Sequence, residues 1–146
     1  MDVASLTGLE LMQAAAEGKV PRASIADTMG IGRMEIEKGR VVMHAKATDR
    51  HLNPLGGVHG GFAATVLDSV TGCAVHTMLD AGVGYGTVDL NVKMMRPVPM
   101  GEALVAEAKV THISRSLGIA EGTLRDASGT LLASASATCF IKQKQG

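Results

Sequence analysis

The hydrophobic and polar positions follow a helical period near the N-terminus and a strand period soon afterwards. Apolar residues at helical spacing in 9–16 predict an amphipathic helix that ends at Gly18. Residues 29–47 alternate between apolar and polar on either side of Lys38 and Gly39. This alternation predicts a β-hairpin closed by a tight turn.

In the middle of the chain, apolar residues would occupy nearly every side of a helix. Residues 61–78 are chiefly Ala, Val, Leu, Met, Cys and Thr, which predicts a buried helix rather than one lying on a surface. Such a helix would be about 27 Å long, enough to cross a small sheet. Four alternating segments follow it and predict strands over 87–94, 103–113, 116–126 and 130–142.

The order of these elements predicts an α+β domain in which an antiparallel β-sheet wraps around one long central helix, with a short N-terminal helix added. In the strand after the helix, clean alternation places Val88, Leu90, Val92 and Met94 on one face. Small residues occupy both faces of 133–138 in the last strand. We expect this segment to contact a second copy of the protein.

Composition narrows the function classes. The 146 residues are 46% hydrophobic, and 14 basic side chains balance 14 acidic ones. A nucleic-acid role therefore lacks its main electrostatic driving force. No segment predicts a bilayer span or a secretory signal, so we expect a cytoplasmic protein that does not bind membranes. Cys73 and Cys139 lack ligand spacing and are expected to be small buried hydrophobes rather than a disulfide or zinc site.

The chemistry concentrates where the central helix begins. Gly60 and Gly61 stand at its start, where backbone N–H groups lack partners and the helix dipole is positive. Without a Cβ, these residues allow a carbonyl oxygen to reach the N–H groups, as in an oxyanion hole. The alternative is that the glycines only permit a tight entry into the helix.

Asp68 lies two turns into this apolar helix with no Lys or Arg three or four residues away. An unpaired carboxylate is costly to bury, so it should face a cleft, where it suits a nucleophile or a water-activating base. The alternative is a simple pairing with a distant strand residue. His59 is out of phase with Asp68 for metal binding, and we expect it to hydrogen-bond within its own loop, with Asn53 as the candidate partner.

Together these residues resemble a known family. The motif consists of a loop asparagine, a His-Gly-Gly triplet, a helix carboxylate and the strand GTVDLNVKMMRPVPMGE: Asn53, His59-Gly60-Gly61, Asp68 and 86–102. It is similar to the hotdog-fold acyl-CoA thioesterases of the PaaI-like branch, which includes the mammalian thioesterase superfamily member 2 type. The resemblance covers about residues 28–142. It implies a single hotdog domain over 1–146, with residues 1–22 as the N-terminal helix.

The resemblance also implies roles for individual residues. Asp68 matches the catalytic carboxylate, as nucleophile or general base on the thioester, and Gly60 matches the backbone N–H that polarises the thioester carbonyl. His59 and Asn53 match orienting or substrate-positioning groups. Thr87 matches a hydroxyl that helps to place the attacking water.

For coenzyme A, the resemblance points to residues near the helix start and near the ends of later strands. The nearest equivalents are Gly61, Arg96, Ser114, Arg115 and Ser116, although many relatives carry a Gly-Arg or Gly-Lys pair in place of the last three. Arginine suits bidentate contact with phosphate. No metal or separate cofactor is implied, because coenzyme A is part of the substrate.

The family pattern further implies a homodimer paired sheet to sheet, in which Asp68 of one chain works opposite Gly60 of the other. Such dimers usually pair again into tetramers. Two other functions stay open for this scaffold: an enoyl-CoA hydratase or dehydratase, for which the spacing of His59 and Asp68 is unsuitable, and a non-catalytic acyl-CoA-binding protein.

Overall fold

The computed structural model describes residues 2–143, in which one six-stranded antiparallel sheet carries a long helix on one face. The helices are α1 (Gly8–Ala16), α2 (Ser24–Thr28) and α3 (Gly60–His76). The strands are β1 (Ile31–Glu37), β2 (Arg40–Ala45), β3 (Gly84–Met94), β4 (Leu104–Ile113), β5 (Leu117–Asp126) and β6 (Leu131–Lys142). Their order across the sheet is β1-β2-β4-β5-β6-β3, with every neighbouring pair antiparallel. Met1 and residues 144–146 of the predicted domain lie outside the described part.

This architecture confirms the predicted α+β arrangement of a central helix, a hairpin and a run of strands. The hairpin turn falls at Gly39, whose φ of +81° is a left-handed conformation that glycine adopts without strain. The five residues of α2 were missed, because so short a helix leaves no periodic signal. Among the described residues, no helix is long and apolar enough to cross a membrane.

Small residues on the sheet let α3 approach closely. A Cβ on Gly118 of β5 would lie 2.7 Å from Val75 Cγ1, and one on Gly122 would lie 3.1 Å from Thr71 Cγ2. The buried hydroxyl of Thr71 donates to the Leu67 carbonyl oxygen at 2.7 Å, so it adds no unpaired polar group to the core. The close packing explains why the predicted helix is buried on most of its surface.

The small residues of β6 divide between the two faces of the sheet. Ala133, Ala135 and Ala137 are buried in the protein interior, alternating along the strand with Ser134 and Ser136. The alanines are therefore accounted for by packing within one chain. Only the face that carries the serines remains available for the second copy that the sequence suggested.

A β-bulge at Val88 changes the phase of β3. Thr87 pairs with Cys139 and Asp89 with Thr138, so two steps along β3 match one step along β6. Val88 is consequently 65% exposed. The prediction that Val88 shares a face with the apolar residues after it was therefore wrong. The bulge puts Thr87 on the same side as Leu90, facing α3.

Candidate active site

The start of α3 presents one free backbone donor. His59 is the N-cap residue, and its Nδ1 accepts a hydrogen bond from the Gly61 N–H at 2.8 Å. The next amide, that of Phe62, donates to the His59 carbonyl oxygen at 2.9 Å. The Gly60 N–H has no acceptor within the described part of the chain and lies at the exposed mouth of the helix. Gly60, rather than Gly61, is the amide available to a ligand.

Asn53 shapes the loop that leads to this mouth. Its Oδ1 accepts hydrogen bonds from the amides of Leu55 at 2.9 Å and Gly57 at 3.2 Å, which is an Asx-type turn. The expected bond from His59 to Asn53 is wrong, because the His59 ring caps α3 and the His59 amide donates to the His51 carbonyl oxygen. Both residues still stabilise the loop in which Gly60 is presented.

Asp68 lies on the side of α3 that faces β3. Its Oδ1 accepts a hydrogen bond of 2.8 Å from the hydroxyl of Thr87. In the described part of the chain, no Lys, Arg or His nitrogen lies within 4.0 Å of this carboxylate, and Oδ2 accepts no hydrogen bond. The structure thus brings together two of the predicted catalytic residues, with one carboxylate oxygen left free for water or substrate.

The other titratable groups beside Asp68 are kept neutral. Burial, with a smaller contribution from the charge of Asp68, raises the pKa of the Cys73 thiol to about 11. Burial likewise raises the pKa of Cys139 and of Tyr85, and the negative charge of Asp68 adds to both shifts. At neutral pH neither thiol supplies a thiolate nucleophile. Asp68 is therefore the candidate for the reacting group.

Two separate cavities flank these residues. The Asp68 cavity, of about 240 Å³, lies beside the carboxylate, with walls from α1, α2, β1, β2, α3 and β3. The Gly60 cavity, of about 230 Å³, lies at the start of α3 and is lined by His59, Met94 and Arg96 among others. Eight residues of helix separate Gly60 from Asp68, a rise of about 12 Å. One carbonyl group cannot contact both within a single chain.

The residues expected to contact coenzyme A lie at opposite ends of the sheet. Arg96 is exposed and lines the Gly60 cavity. The exposed turn over 114–116 lies at the other end, where the amide of Ile141 donates to the Ser116 carbonyl oxygen and β3 begins beside Ile141. This end of β3 is the end that carries Thr87. The structure therefore places Arg115 nearer the Asp68 end and Arg96 at the Gly60 end.

Within residues 2–143, no cluster of three or more His, Cys, Asp or Glu side chains could hold a metal ion. What the site does contain is a partly exposed carboxylate with a hydrogen-bonded hydroxyl, and a helix-terminal amide free to stabilise an oxyanion. On an antiparallel sheet wrapped over one helix, these are the parts of a hydrolase for esters or thioesters.

The model of the thioesterase superfamily matches residues 55–133, more than half of the chain, and the chain belongs to this superfamily. Human acyl-coenzyme A thioesterase 13 is 31% identical over 96 residues, which make up 65% of this chain and 68% of the human protein. The predicted family and the thioester hydrolase class are confirmed.

Solved structures agree with this assignment. A phenylacetic acid degradation-related protein from Ralstonia eutropha superimposes with a TM-score of 0.80 at 31% identity, over 88% of this chain and 97% of that one. The PaaI protein from the phenylacetic acid degradation operon of E. coli has a TM-score of 0.80 at 19% identity, over 91% and 94% of the two chains, and shares the fold. The predicted hotdog fold is confirmed.

Proposed function

We propose that this enzyme hydrolyses acyl-coenzyme A thioesters to the free acid and coenzyme A, at a site built from two copies of the chain. The observation that carries the proposal is the placement of Asp68 and the Gly60 N–H about 12 Å apart along one helix. Among the residues that the structure describes, the Asp68 carboxylate has no oxyanion donor beside it, and the Gly60 N–H has no nucleophile or base beside it. A second chain is the simplest source of the missing half.

Strand β3 supports this arrangement. It is an edge strand whose outer side has no neighbour in the sheet, and its residues connect both halves of the site. Thr87 near its start bonds Asp68, whereas Met94 at its end lies beside Gly60, where a Cβ would be 2.9 Å from Met94 Sδ. Antiparallel pairing of β3 with the same strand of a second chain reverses the ends. Asp68 of one chain would then lie opposite Gly60 of the partner subunit.

In this arrangement the thioester carbonyl oxygen accepts a hydrogen bond from the Gly60 N–H of the partner subunit. The positive end of α3 stabilises the negative charge that develops there. Asp68 either attacks the carbonyl carbon or removes a proton from the attacking water, and the Thr87 hydroxyl holds its Oδ1 in position. Coenzyme A leaves as a thiolate, a good leaving group that needs no strong general acid.

The coenzyme A contacts follow from the same pairing. The 114–116 turn lies at the Asp68 end of its chain and would meet Arg96 of the partner subunit. Both arginines are exposed and suited to bidentate contact with phosphate oxygens. The expected dimer of dimers and the cytoplasmic location belong to this proposal, as does hydrolysis without a metal or a separate cofactor.

The function is tested on the purified protein with a panel of acyl-CoA thioesters, measuring free thiol and carboxylic acid together. We expect the two products in equal amounts and slow turnover of matched oxygen esters. An enoyl product without free thiol would indicate a hydratase or dehydratase instead. A stable acyl-CoA complex that releases no thiol would indicate a non-catalytic binding protein.

The shared site is tested by mixing two inactive variants, Asp68→Asn and Gly60→Pro, through co-expression or through unfolding and refolding together. A mixed dimer holds one site with both intact groups, so random pairing should restore about a quarter of the wild-type activity. Each variant alone, treated identically, is the control. Activity that stays at the level of the single variants in mixed dimers of proven composition would place both groups in one chain.

A further inference from the structure

The loop that precedes α3 is closed at its base by two histidines. The amide of His59 donates to the carbonyl oxygen of His51 at 2.8 Å. Next to this bond, Leu52 and Val58 form an isolated antiparallel bridge. The Gly60 N–H belongs to the planar peptide unit that joins Gly60 to His59. The direction of this N–H therefore depends on where the His51 carbonyl oxygen holds the chain.

The side chain of His51 is itself held through both ring nitrogens. Nδ1 accepts a hydrogen bond from the Thr48 amide at 2.9 Å, and Nε2 donates to the carbonyl oxygen of Thr28, the last residue of α2, at 2.7 Å. A backbone amide can only donate and a carbonyl oxygen can only accept, so the two bonds together require the ring proton on Nε2 and none on Nδ1. The ring also packs against Phe62 in the first turn of α3, with ring centroids 4.9 Å apart.

These contacts make His51 a connection between the two halves of the site within one chain. Ile25 and Ala26, which precede Thr28 in α2, line the Asp68 cavity. His51 itself lines neither the Asp68 cavity nor the Gly60 cavity. Because both ring nitrogens are occupied by backbone groups, the ring has no nitrogen left to exchange a proton with a substrate. A role for His51 in the reaction must therefore be exerted through the loop.

We propose that His51 is a positioning residue for the oxyanion site, whose ring, with its proton on Nε2, fixes the direction of the Gly60 N–H. This inference rests on the proposed hydrolysis of acyl-CoA thioesters. An oxyanion donor stabilises the transition state because it is held in place before charge develops, and removal of such a donor lowers kcat by about a hundred- to a thousand-fold. A donor whose direction is no longer fixed should lose part of that effect.

The proposal is tested by measuring kcat and KM for three variants of His51 with an acyl-CoA that the wild type hydrolyses. We expect His51→Ala to lower kcat about ten- to thirty-fold and to change KM by less than about two-fold, because the amide acts mainly on charge in the transition state. In His51→Asn, the side-chain oxygen can replace Nδ1 as acceptor for the Thr48 amide. In His51→Gln, the side-chain nitrogen can replace Nε2 as donor to Thr28. Each of these two variants should recover part of the lost kcat.

His44→Ala is the matched control. His44 is another half-buried histidine whose Nε2 donates a hydrogen bond to Glu35 at 2.9 Å, and it lies on β2 outside both cavities. Its kcat should equal that of the wild type.

A double-mutant cycle with Gly60→Pro tests whether His51 acts through the Gly60 N–H. In this background the amide hydrogen is already absent, so adding His51→Ala should lower kcat by less than about two-fold further. A general loss of structure would instead lower kcat equally in both backgrounds. If His51→Ala does not fold, the cycle is measured with His51→Asn, which retains the bond to Thr48.

Wild-type kcat in His51→Ala, or an equal loss in both backgrounds of the cycle, would overturn the positioning role while leaving the hydrolase function in place. A wild type that releases no thiol from any acyl-CoA would instead contradict the proposed function.

Discussion

Replacing Asp68 with asparagine is expected to lower kcat for thioester hydrolysis by about three orders of magnitude. The amide has nearly the same shape as the carboxylate and can still accept the hydrogen bond from Thr87. It cannot act as a nucleophile or take a proton from water. Because Asp68 is partly exposed and has no ion-pair partner within the described residues, the melting temperature should stay within a few degrees of the wild type.

The measurement combines steady-state kinetics with thermal unfolding and acyl-CoA binding by calorimetry. Binding should survive in Asp68→Asn, since the cavity and the Gly60 amide are unchanged. Wild-type turnover by a correctly folded variant would remove Asp68 from the mechanism. A single turnover of the wild-type enzyme in ¹⁸O-labelled water then separates the two roles of the carboxylate. If Asp68 is the nucleophile and water opens the resulting anhydride at the Asp68 carboxyl carbon, the acid released in this turnover is unlabelled and the label enters Asp68. If Asp68 is a general base, the released acid itself carries the label.

Replacing Gly60 with proline is expected to lower kcat by about a hundred- to a thousand-fold, because proline removes the amide hydrogen at the start of α3 that has no acceptor among the described residues. The fold should tolerate the change. Gly60 is the first residue of α3, where proline is favoured, and His59 before it has φ −63° and ψ 137°, as a residue preceding proline requires. The ring would contact the flexible end of Met94.

The matched control is Gly60→Ala, which adds the same Cβ but keeps the N–H. It should lose only a few-fold in kcat, while Gly60→Pro loses far more at an equal melting temperature. If alanine and proline reduce kcat equally, crowding at Met94 rather than the missing hydrogen explains the loss. The Gly60 amide would then not be the oxyanion donor.

Local periodicity was enough to predict the hairpin, the central helix and the four later strands. The bulge at Val88 was not predictable, because the alternation over 88–94 continues through it without a break in polarity. A bulge arises from how a strand pairs with its neighbour, here β6. The sequence of β3 alone carries no information about that pairing. The helix α2 was missed for a related reason, since its five residues gain their structure from packing rather than from a repeat.

Some parts of the candidate site were likewise predictable from the sequence, and others were not. Chemical reasoning alone indicated Gly60 and Asp68, since a bare helix start and an unpaired carboxylate are unusual in an apolar segment. Thr87 was indicated only through the resemblance to a family, as a hydroxyl that helps to place the attacking water, and its hydrogen bond to Asp68, 19 positions away in the sequence, was not predicted. The Asp68 cavity was not predicted, because its walls come from six separate elements that meet only in the folded chain.

The bulge at Val88 determines which change in the length of β3 this enzyme can tolerate. Side chains in a strand point alternately to opposite faces, so the extra residue at Val88 lets Tyr85 and Thr87 face α3 together with Leu90. Deleting Val88 would remove the bulge and leave Thr87 and Leu90 two positions apart, so both would still face α3 and the pairing with β6 would become regular. Loss of this one residue would therefore shorten β3 without separating the Thr87 hydroxyl from Asp68.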